Sequence, residues 1–248
     1  MLYNDFMRTI LITGASGGIG SEIAKKFANS KNNVILVYNK NKKMIQTLKQ
    51  GFKNCNLEIF QCDLTQTDQI NSMVAKIIKT YKKIDCLVNC AGISKSQLIQ
   101  DTTVKDYYDV FDTNLKSTIM LTSAVAKHMI SEQNGKIVNI SSVSTFGNIG
   151  QCNYSAAKCA IEGFTRTLAM ESGRKNITVN CISPGMVDTD ILKTIPEETL
   201  KMRIQNSPCQ RLGSTDEIAS VAAFLCSDDS AWVTGNTVLV CGGARMRA

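Results

Sequence analysis

The feature that most constrains the fold is a glycine-rich turn that lies between a predicted strand and a predicted helix. The β-branched run Thr9–Ile12 leads into the sequence TGASGGIG at residues 13–20, and apolar residues then recur at helical spacing. In such a unit, glycines allow a tight turn, a close approach of a ligand's backbone and close packing of helix on strand. Free N–H groups at the helix N-terminus favour a phosphate, so the turn predicts a phosphate site, although packing alone is the alternative. The residues assigned to this site are Gly14, Ser16, Gly17, Gly18, Ile19 and Gly20.

The same alternation of strands and helices continues along the chain. Strands are predicted at 9–12, 34–37, 57–63, 84–88, 137–140, 177–182 and 237–240, with helical patterns between most of them. Alternation of this kind is typical of a parallel sheet covered by helices, and no linker, repeat or low-complexity segment divides the 248 residues. We therefore expect one α/β domain over residues 1–248, with a doubly wound, mostly parallel sheet of the Rossmann type in three αβα layers.

The end of the second predicted strand indicates which dinucleotide the chain would select. Sites that select NAD usually carry a carboxylate there, which bonds the ribose hydroxyl groups, whereas this chain has Tyr38, Asn39 and Lys40. Lys40 can pair with a 2′-phosphate, and no carboxylate repels that group. The segment therefore favours NADP(H) over NAD(H), unless Lys40 is only a solvated loop charge.

The ends of the next two predicted strands also suit a nucleotide. Asp63, which is followed by Leu64, either bonds an adenine ring or caps the following helix. The segment Asn89-Cys-Ala-Gly92 has small residues that allow a flat ligand to approach closely. Because the carboxyl ends of parallel strands meet at one edge of a sheet, these segments and the glycine turn are expected to lie together.

Two polar motifs in predicted helices are candidates for catalysis. Tyr154 and Lys158 lie four residues apart and so share one face of a helix. A phenol is a weak acid near neutral pH, and a fixed ammonium group beside it stabilises its anion, which makes Tyr154 a candidate proton donor or acceptor. Alone, the pair is also compatible with an ordinary helix surface. Asn114 lies within the apolar face of another predicted helix, where a hydrogen-bonded core amide is the alternative.

Composition and charge exclude several other classes of protein. The net charge of +7 permits an anionic partner, but the lysines are spread along the chain without a nucleic-acid-binding module, so we expect no nucleic-acid partner. The ten cysteines form no Cys-x-x-Cys pair and the single histidine is His128 in a predicted helix, so we expect no metal site. Without a signal peptide or an apolar run of ~20 residues, we expect no membrane association and a reducing cytoplasm.

Taken together, the motifs resemble the short-chain dehydrogenase/reductase family from end to end. They are Thr13-Gly-x-x-x-Gly-x-Gly20, Asn89-x-Ala-Gly92, Asn114, Ser142, Tyr154-x-x-x-Lys158 and Pro184-Gly185. Each motif is weak alone, but six of them in this order at strand ends are specific. Further segments look most like the 3-oxoacyl-[acyl-carrier-protein] reductase branch: Gly147-Asn148, Gly150-Gln151, Arg211-Leu-Gly213 and Gly242-Gly243.

The resemblance implies a role for each of these residues. Tyr154 would protonate a substrate carbonyl oxygen as NADPH delivers hydride, while Lys158 would bind the nicotinamide ribose and assist the tyrosine. Ser142 would bond the carbonyl, and Asn114 would hold a water molecule of a proton relay. The residues that would flank the cofactor are Asn89, Ala91 and Gly92, with Pro184, Gly185, Val187 and Thr189 on the nicotinamide side.

Two departures from the family pattern bear on these roles. The usual spacing of thirteen residues before the tyrosine selects Ser141, whereas alignment of the fifth strand selects Ser142, with one residue missing before Gly147. A strand's register is harder to shift than a loop's length, so Ser142 is favoured. Family members that use NADP often carry a basic residue in the glycine turn, where this chain has Gly17, so the cofactor prediction depends on Lys40.

The resemblance also implies a substrate and an assembly. The activity would be NADPH-dependent reduction of 3-oxoacyl thioesters of acyl carrier protein or CoA, as in fatty acid biosynthesis, by a homotetramer. Of the two places where this branch binds acyl carrier protein through basic residues, 131–133 has none and Arg174-Lys175 has two. We expect residues 190–208 to form a mobile substrate flap. Apolar residues that would line an acyl site, or only pack the flap, are Met186, Ile191, Leu192, Ile195 and Met202.

Two other functions stay open at this point. One is a secondary-alcohol or ketone dehydrogenase that acts on a sterol, a polyol or a small ketone. The other is a non-catalytic NAD(P)-binding regulator that has kept the fold. The set of Asn114, Ser142, Tyr154 and Lys158 is complete, which argues against the regulator.

Overall fold

The computed structural model describes residues 7–29, 31–52, 55–189, 192 and 195–245 of the chain. Its strands are β1 (Arg8–Thr13), β2 (Asn32–Tyr38), β3 (Asn56–Gln61), β4 (Cys86–Asn89), β5 (Gly135–Ile140), β6 (Ile177–Pro184) and β7 (Thr237–Val240). Its helices are α1 (Gly18–Phe27), α2 (Lys42–Gly51), α3 (Thr67–Tyr81), α4 (Val104–Phe111), α5 (Ser117–Glu132), α6 (Cys152–Ser172), α7 (Glu197–Gln205) and α8 (Thr215–Leu225).

All seven strands form one parallel sheet in the order β3-β2-β1-β4-β5-β6-β7. The chain builds outward from β1 to β3, returns to β4 beside β1, and then builds outward in the other direction to β7. The predicted α/β fold with a doubly wound, Rossmann-type sheet is therefore confirmed. In such sheets, ligands bind at the carboxyl ends of the strands where the winding direction changes, which here is between β1 and β4.

Helices cover both faces of the sheet and complete the three layers. One face packs against α1, α2 and α8 through a core that includes Ile23, Ile45 and Leu225. The other face packs against α3, α5 and α6 through a core that includes Ile70 and Leu121. The five inner strands are almost entirely buried, whereas β3 and β7 at the two edges are partly exposed. Strands buried on both faces explain the nearly continuous apolar runs in the sequence.

Most strand boundaries differ from the predictions by one or two residues, and at two of them side chains take part in the backbone bonding. The third strand ends at Gln61, and Asp63 instead accepts hydrogen bonds from the N–H (3.0 Å) and the hydroxyl (2.8 Å) of Thr65. The carboxylate thus caps a turn before α3, whose own N-cap residue is Gln66. The fourth strand begins after Asp85, whose carboxylate accepts from the Thr9 N–H at 2.8 Å.

The long helix that was predicted around Asn114 is interrupted. Residues 112–116 form a π-helical segment that joins α4 to α5 without a break in the chain's helical course. A π-segment contains one more residue than a regular turn, and such segments occur frequently at functional sites. Apolar periodicity does not reveal one extra residue, so the interruption was not predicted.

Within the described ranges, no helix is both long and apolar enough to cross a membrane. Among the residues with described positions, no group of three or more His, Cys, Asp or Glu side chains could hold a metal ion. All ten cysteines are free thiols. Burial raises the pKa of Cys62 to about 11 and that of Cys181 to about 12, so these two thiols stay protonated at neutral pH and act as core side chains.

Candidate active site

The turn after β1 is fixed against the end of β4 by backbone contacts. Gly14 has a φ of +65°, and a Cβ added to it would lie 2.8 Å from the backbone of Ala91. Thr13 Oγ1 accepts hydrogen bonds from the N–H groups of Cys90 (3.0 Å) and Ala91 (3.1 Å). A Cβ on Gly20 would overlap the carbonyl oxygen of Gly14. Both glycines are therefore required by the turn and its packing.

The N-terminus of α1 faces the space above this turn. Its N-cap residue is Gly17, which supplies no side-chain cap to the first N–H groups. Gly17 and Gly18 are exposed, and a Cβ on Gly18 would lie 3.1 Å from Cγ2 of Thr189. Uncapped N–H groups at the positive end of a helix dipole suit a phosphate.

The turn forms one end of a cleft of about 1140 Å³ along the carboxyl edge of the sheet. This volume exceeds the ~300–1,000 Å³ that is typical of a site for one small ligand, and it suits a dinucleotide beside a substrate. The predicted site residues in its wall are Gly14, Ser16, Gly17, Gly18, Ile19, Gly20, Tyr38, Asn39, Lys40, Asp63, Leu64, Ala91, Gly92, Ser142, Tyr154, Lys158, Pro184, Gly185, Val187 and Thr189. Two predicted residues, Asn89 and Asn114, lie behind the wall.

Asn89 takes part in a buried polar network beneath the cleft. Its Nδ2 donates to Oδ1 of Asn139 and to the Thr122 hydroxyl, both at 2.9 Å. Asn139 Nδ2 in turn donates to the hydroxyl of Thr165 at 2.9 Å. These bonds connect β4 and β5 with α5 and α6. The side chain of Asn89 therefore holds the elements that form the cleft together, and its neighbours Cys90, Ala91 and Gly92 reach the wall.

Asn114 lies in the π-helical segment and holds the chain after β4 in place. Its Oδ1 accepts from the Ile93 N–H at 2.8 Å, and its Nδ2 donates to the Ile93 carbonyl at 2.9 Å. The side chain is fully buried. Both its oxygen and its nitrogen are hydrogen-bonded, which agrees with the alternative of a hydrogen-bonded core amide. A Cβ on Gly92 would lie 3.2 Å from this Oδ1 and 3.5 Å from Nζ of Lys158, so a glycine at position 92 allows the three groups to meet.

Tyr154 and Lys158 lie on the cleft-facing side of α6. The Lys158 Nζ is 5.6 Å from the centroid of the Tyr154 ring, and it donates a hydrogen bond to the Ile140 carbonyl at 2.7 Å. The lysine is only 4% exposed. An ammonium group has three N–H donors, so its position leaves donors for a ligand in the cleft. Near this charge, the Cys90 thiol is kept protonated because burial raises its pKa to about 11, although Lys158 opposes the shift.

The two adjacent serines after β5 differ in their surroundings. The Ser141 hydroxyl is buried and donates to the Glu162 carboxylate at 2.8 Å. Ser142 is half-buried, and its Oγ accepts from the Ser144 N–H at 3.1 Å. No acceptor for the Ser142 hydroxyl proton occurs among the described residues. Ser142 can therefore donate into the cleft, whereas the proton of Ser141 is already bonded.

Polar side chains connect the loop before α6 to the chain after β4. Asn148 Nδ2 donates to Gln151 Oε1 at 2.8 Å, and Gln151 Nε2 lies 3.3 Å from the Ser94 hydroxyl. The chain after β4 is also tied to α4, because Lys95 pairs with Asp106 (2.8 Å). Of these residues, Ser94, Asn148 and Gln151 line the cleft, at the end away from the glycine turn, here called the substrate end.

The predicted flap is described in part. Leu192 and Ile195 line the cleft together with Met186. Met202 on α7 is 55% exposed and is not part of the cleft wall. Asp190 and Ile191 lie outside the described residues.

Several polar residues of the cleft were not predicted from the sequence, and three of them are Ser144, Arg203 and Arg245. Ser144 is buried and lines the cleft, and its hydroxyl has no hydrogen-bond partner within the described part of the chain. Arg203 on α7 and Arg245 after β7 line the substrate end. The third serine of the run 141–144 was a visible signal for Ser144. Nothing near Arg203 or Arg245 in the sequence links either arginine to Tyr154, because their proximity depends on long-range folding.

Comparison with known proteins gives consistent similarities over nearly the whole chain. A family model described as enoyl-(acyl carrier protein) reductase matches residues 14–245. A 3-oxoacyl-[acyl-carrier-protein] reductase of Thermotoga maritima is 36% identical, over 95% of this chain and 97% of the relative. An acetoacetyl-CoA reductase of an Acinetobacter strain is 35% identical, over 96% of this chain and 98% of the relative. The (2S)-[(R)-hydroxy(phenyl)methyl]succinyl-CoA dehydrogenase subunit BbsD of Thauera aromatica is 35% identical, over 97% and 98%.

Proposed function

Because the chain belongs to the short-chain dehydrogenase/reductase family, we propose that it is an NADP(H)-dependent reductase of 3-oxoacyl thioesters with Tyr154 as proton donor. The chain is an oxidoreductase that acts on CH–OH groups. One observation carries the more specific proposal. The buried ammonium of Lys158 lies 5.6 Å from the Tyr154 ring, in the wall of a cleft that has room for both a dinucleotide and a substrate.

In the proposed reaction, the carbonyl carbon of the substrate gains a hydride and its oxygen gains a proton. The nicotinamide cofactor, when bound, supplies the hydride. Tyr154 donates its hydroxyl proton to the carbonyl oxygen, and the charge of Lys158 stabilises the phenolate that remains. The Ser142 hydroxyl donates a hydrogen bond to the same oxygen and stabilises the negative charge that develops there. The C=O double bond thereby becomes a C–O single bond, and one new C–H bond and one new O–H bond form.

The glycine turn and the end of β2 support the cofactor part of the proposal. A side chain at Gly14 would collide with Ala91, and the uncapped N-terminus of α1 suits the pyrophosphate. Lys40 is exposed at the edge of the cleft, and no ion pair holds it among the residues that the structure describes. The lysine is therefore available to a 2′-phosphate, as the preference for NADP(H) requires.

The relatives support an acyl thioester as the substrate. Their names specify acyl-carrier-protein and CoA thioesters, and the apolar side chains of Leu192 and Ile195 in the cleft wall suit an acyl chain. Arg174 and Lys175 are exposed in the turn after α6, where an acidic carrier protein can dock. The exposed Leu239 on the edge strand β7 supports assembly into a homotetramer. Free thiols at all ten cysteines support a reducing compartment such as the cytoplasm.

A substrate panel tests the proposal. NADPH oxidation is measured with acetoacetyl-CoA and acetoacetyl-[acyl-carrier-protein], and in parallel with cyclohexanone and a sterol ketone. We expect kcat/KM for the thioesters to exceed that for the free ketones. Turnover of the ketones alone would support the secondary-alcohol dehydrogenase alternative, and absence of any thioester turnover would contradict the proposal.

The cofactor preference is tested separately at Lys40. A charge-assisted hydrogen bond contributes about 1.5–3 kcal/mol, so we expect Lys40→Gln to lower kcat/KM for NADPH about tenfold or more and to leave that for NADH unchanged. Lys43→Gln is the control, because Lys43 is exposed on α2 outside the cleft wall. Equal efficiency of the unmodified enzyme with the two cofactors would refute the role of Lys40.

A further inference from the structure

Two arginines from distant parts of the chain meet at one loop in the substrate end of the cleft. Arg203 of α7 donates from Nη2 to Oδ1 of Asn148 at 3.2 Å. Arg245, which follows β7, donates from Nη2 to the Gly147 carbonyl at 3.0 Å. Both arginines line the same cleft as Tyr154, and both are half-buried. Two positive charges are thus held beside adjacent residues of the loop that precedes the Tyr154 helix.

These two charges are not neutralised within the part of the chain that the structure describes. Two lysines near this end of the cleft do have carboxylate partners: the Lys105 Nζ lies 2.6 Å from the Asp109 carboxylate, and Lys95 pairs with Asp106 and Asp109. Neither Arg203 nor Arg245 forms an ion pair with any described carboxylate. Each guanidinium has five N–H donors, and one bond to a neutral oxygen leaves most of them for a ligand.

We propose that Arg203 and Arg245 form an anion-binding pair that holds a negatively charged group of the substrate. The inference rests on the proposed 3-oxoacyl thioester reductase function and narrows its substrate class to anionic thioesters. Arginine recognises carboxylate and phosphate oxygens through paired, charge-assisted hydrogen bonds. The anion is either a free carboxylate at the far end of the acyl chain or a phosphate of the carrier's pantetheine arm.

A structural role for the arginines is the alternative. On that interpretation, they only fasten α7 and the segment after β7 to the loop at Gly147 and Asn148. The two interpretations differ in substrate dependence. Loss of a fastening contact would affect every substrate equally, whereas loss of an anion site would affect only substrates that carry the anion.

Three thioesters with the same 3-oxo group separate these interpretations. Acetoacetyl-N-acetylcysteamine carries no charge, acetoacetyl-CoA carries phosphates, and the N-acetylcysteamine monothioester of 3-oxoadipic acid carries a carboxylate. The variants are Arg203→Gln and Arg245→Gln, with Arg166→Gln as the control, because Arg166 is exposed on α6 outside the cleft wall. Since one charge-assisted bond is lost, we expect each cleft variant to lower kcat/KM for one charged thioester about tenfold to a hundredfold. The neutral thioester should be unaffected.

The thioester that shows the loss identifies the source of the anion. Loss with acetoacetyl-CoA alone identifies a carrier phosphate, and loss with the oxoadipyl thioester alone identifies an acyl carboxylate. An equal loss with all three substrates, or no loss with any, would overturn the proposal. Thermal unfolding of each variant shows whether a loss reflects a poorly folded protein.

Calorimetry separates this proposal from the proposed function. The protein saturated with its oxidised nicotinamide cofactor cannot reduce a thioester, so titration with the same three compounds measures affinity alone. Absence of turnover by the unmodified enzyme would contradict the proposed function. Weaker binding of a charged thioester by the arginine variants would still support the anion-binding pair, and unchanged affinity of all three compounds would overturn it.

Discussion

At the β1 end of the cleft the wall consists mainly of backbone, whereas at the α7 end it consists mainly of side chains. The turn at Gly14 touches Ala91 through backbone atoms, and Thr13 fixes two further N–H groups. At the other end, Arg203, Asn148 and Gln151 meet through half-exposed polar groups. A backbone wall fits one invariant group, such as a pyrophosphate, while a wall of side chains can change with the substrate.

Tyr154 lies between the two ends, and its substitution should give the largest effect. We expect Tyr154→Phe to lower kcat by about 10²–10⁴, because a general acid contributes that much, while cofactor affinity stays unchanged. The measurements are steady-state kinetics and a fluorescence titration with NADPH. Tyr108→Phe is the control, since Tyr108 is exposed on α4. Full activity of Tyr154→Phe would contradict the proposed mechanism.

Substitution of Ser142 should mainly affect kcat, whereas substitution of Ser141 should mainly affect stability. Because Ser142 is proposed to donate to the carbonyl oxygen, we expect Ser142→Ala to lower kcat by about 10²–10³ with little change in stability. Ser141 bonds Glu162 at 2.8 Å, so Ser141→Ala should cost about 1 kcal/mol of unfolding free energy and affect kcat less. Kinetics and urea unfolding of both variants decide the assignment. The reverse pattern would make Ser141 the catalytic serine.

A pair of substitutions compares the two ends of the cleft directly. Gly14→Ala places a Cβ 2.8 Å from backbone at a φ of +65°, so we expect a loss of roughly 2–3 kcal/mol in unfolding free energy and weaker cofactor binding. Asn148→Ala removes only half-exposed hydrogen bonds, so we expect about 1 kcal/mol or less and a higher KM for the thioester.

Gly163→Ala is the matched control for Gly14→Ala. A Cβ at Gly163 in α6 would meet nothing within 4 Å, so the helix should gain up to about 1 kcal/mol. If Gly14→Ala and Asn148→Ala lowered the unfolding free energy equally, the two ends of the cleft would not differ in rigidity as described.

The smallest effect concerns α8, which packs with α1 on one face of the sheet. Hydrogen bonds from Arg211, and from the Ser214 N–H at the start of α8, lower the pKa of Glu217 to about 2. An unfolded glutamate has a pKa of about 4.3, so the charged form stabilises the fold above that pH, and the contribution disappears as the pH falls to about 2. We expect Glu217→Gln to lower the urea midpoint at pH 7 and to have less effect at pH 3.

Glu171→Gln is the control for this pH dependence, since Glu171 is exposed on α6. The difference between Glu217→Gln and the unmodified protein should shrink steadily as the pH is lowered from 5 to 3. A difference in urea midpoint that is constant over this range would show that the contribution of Glu217 to stability does not depend on its charge.

The parts of the molecule that were predictable from the sequence are those that local chemistry determines. The β1 turn and the alternation of strands and helices follow from glycine positions and apolar runs over a few residues. Asn89 was predicted for the cleft wall, but its side chain belongs to the buried polar network beneath the wall. The direction of this side chain depends on its bonds to Asn139 and Thr122, which are distant in sequence. Arg203 and Arg245 meet one loop from separate segments, and no local pattern encodes that meeting.

The π-helical segment at residues 112–116 has a consequence for insertions and deletions. A regular α-helix advances about 100° per residue, so removal of one residue from this segment would rotate all of α5 by about that angle relative to α4. The buried side of α5, with Leu121 and Val125, would then turn away from the sheet, or else Asn114 would lose its bonds to Ile93. Surface loops generally tolerate insertions and deletions, but this helical segment requires a fixed number of residues.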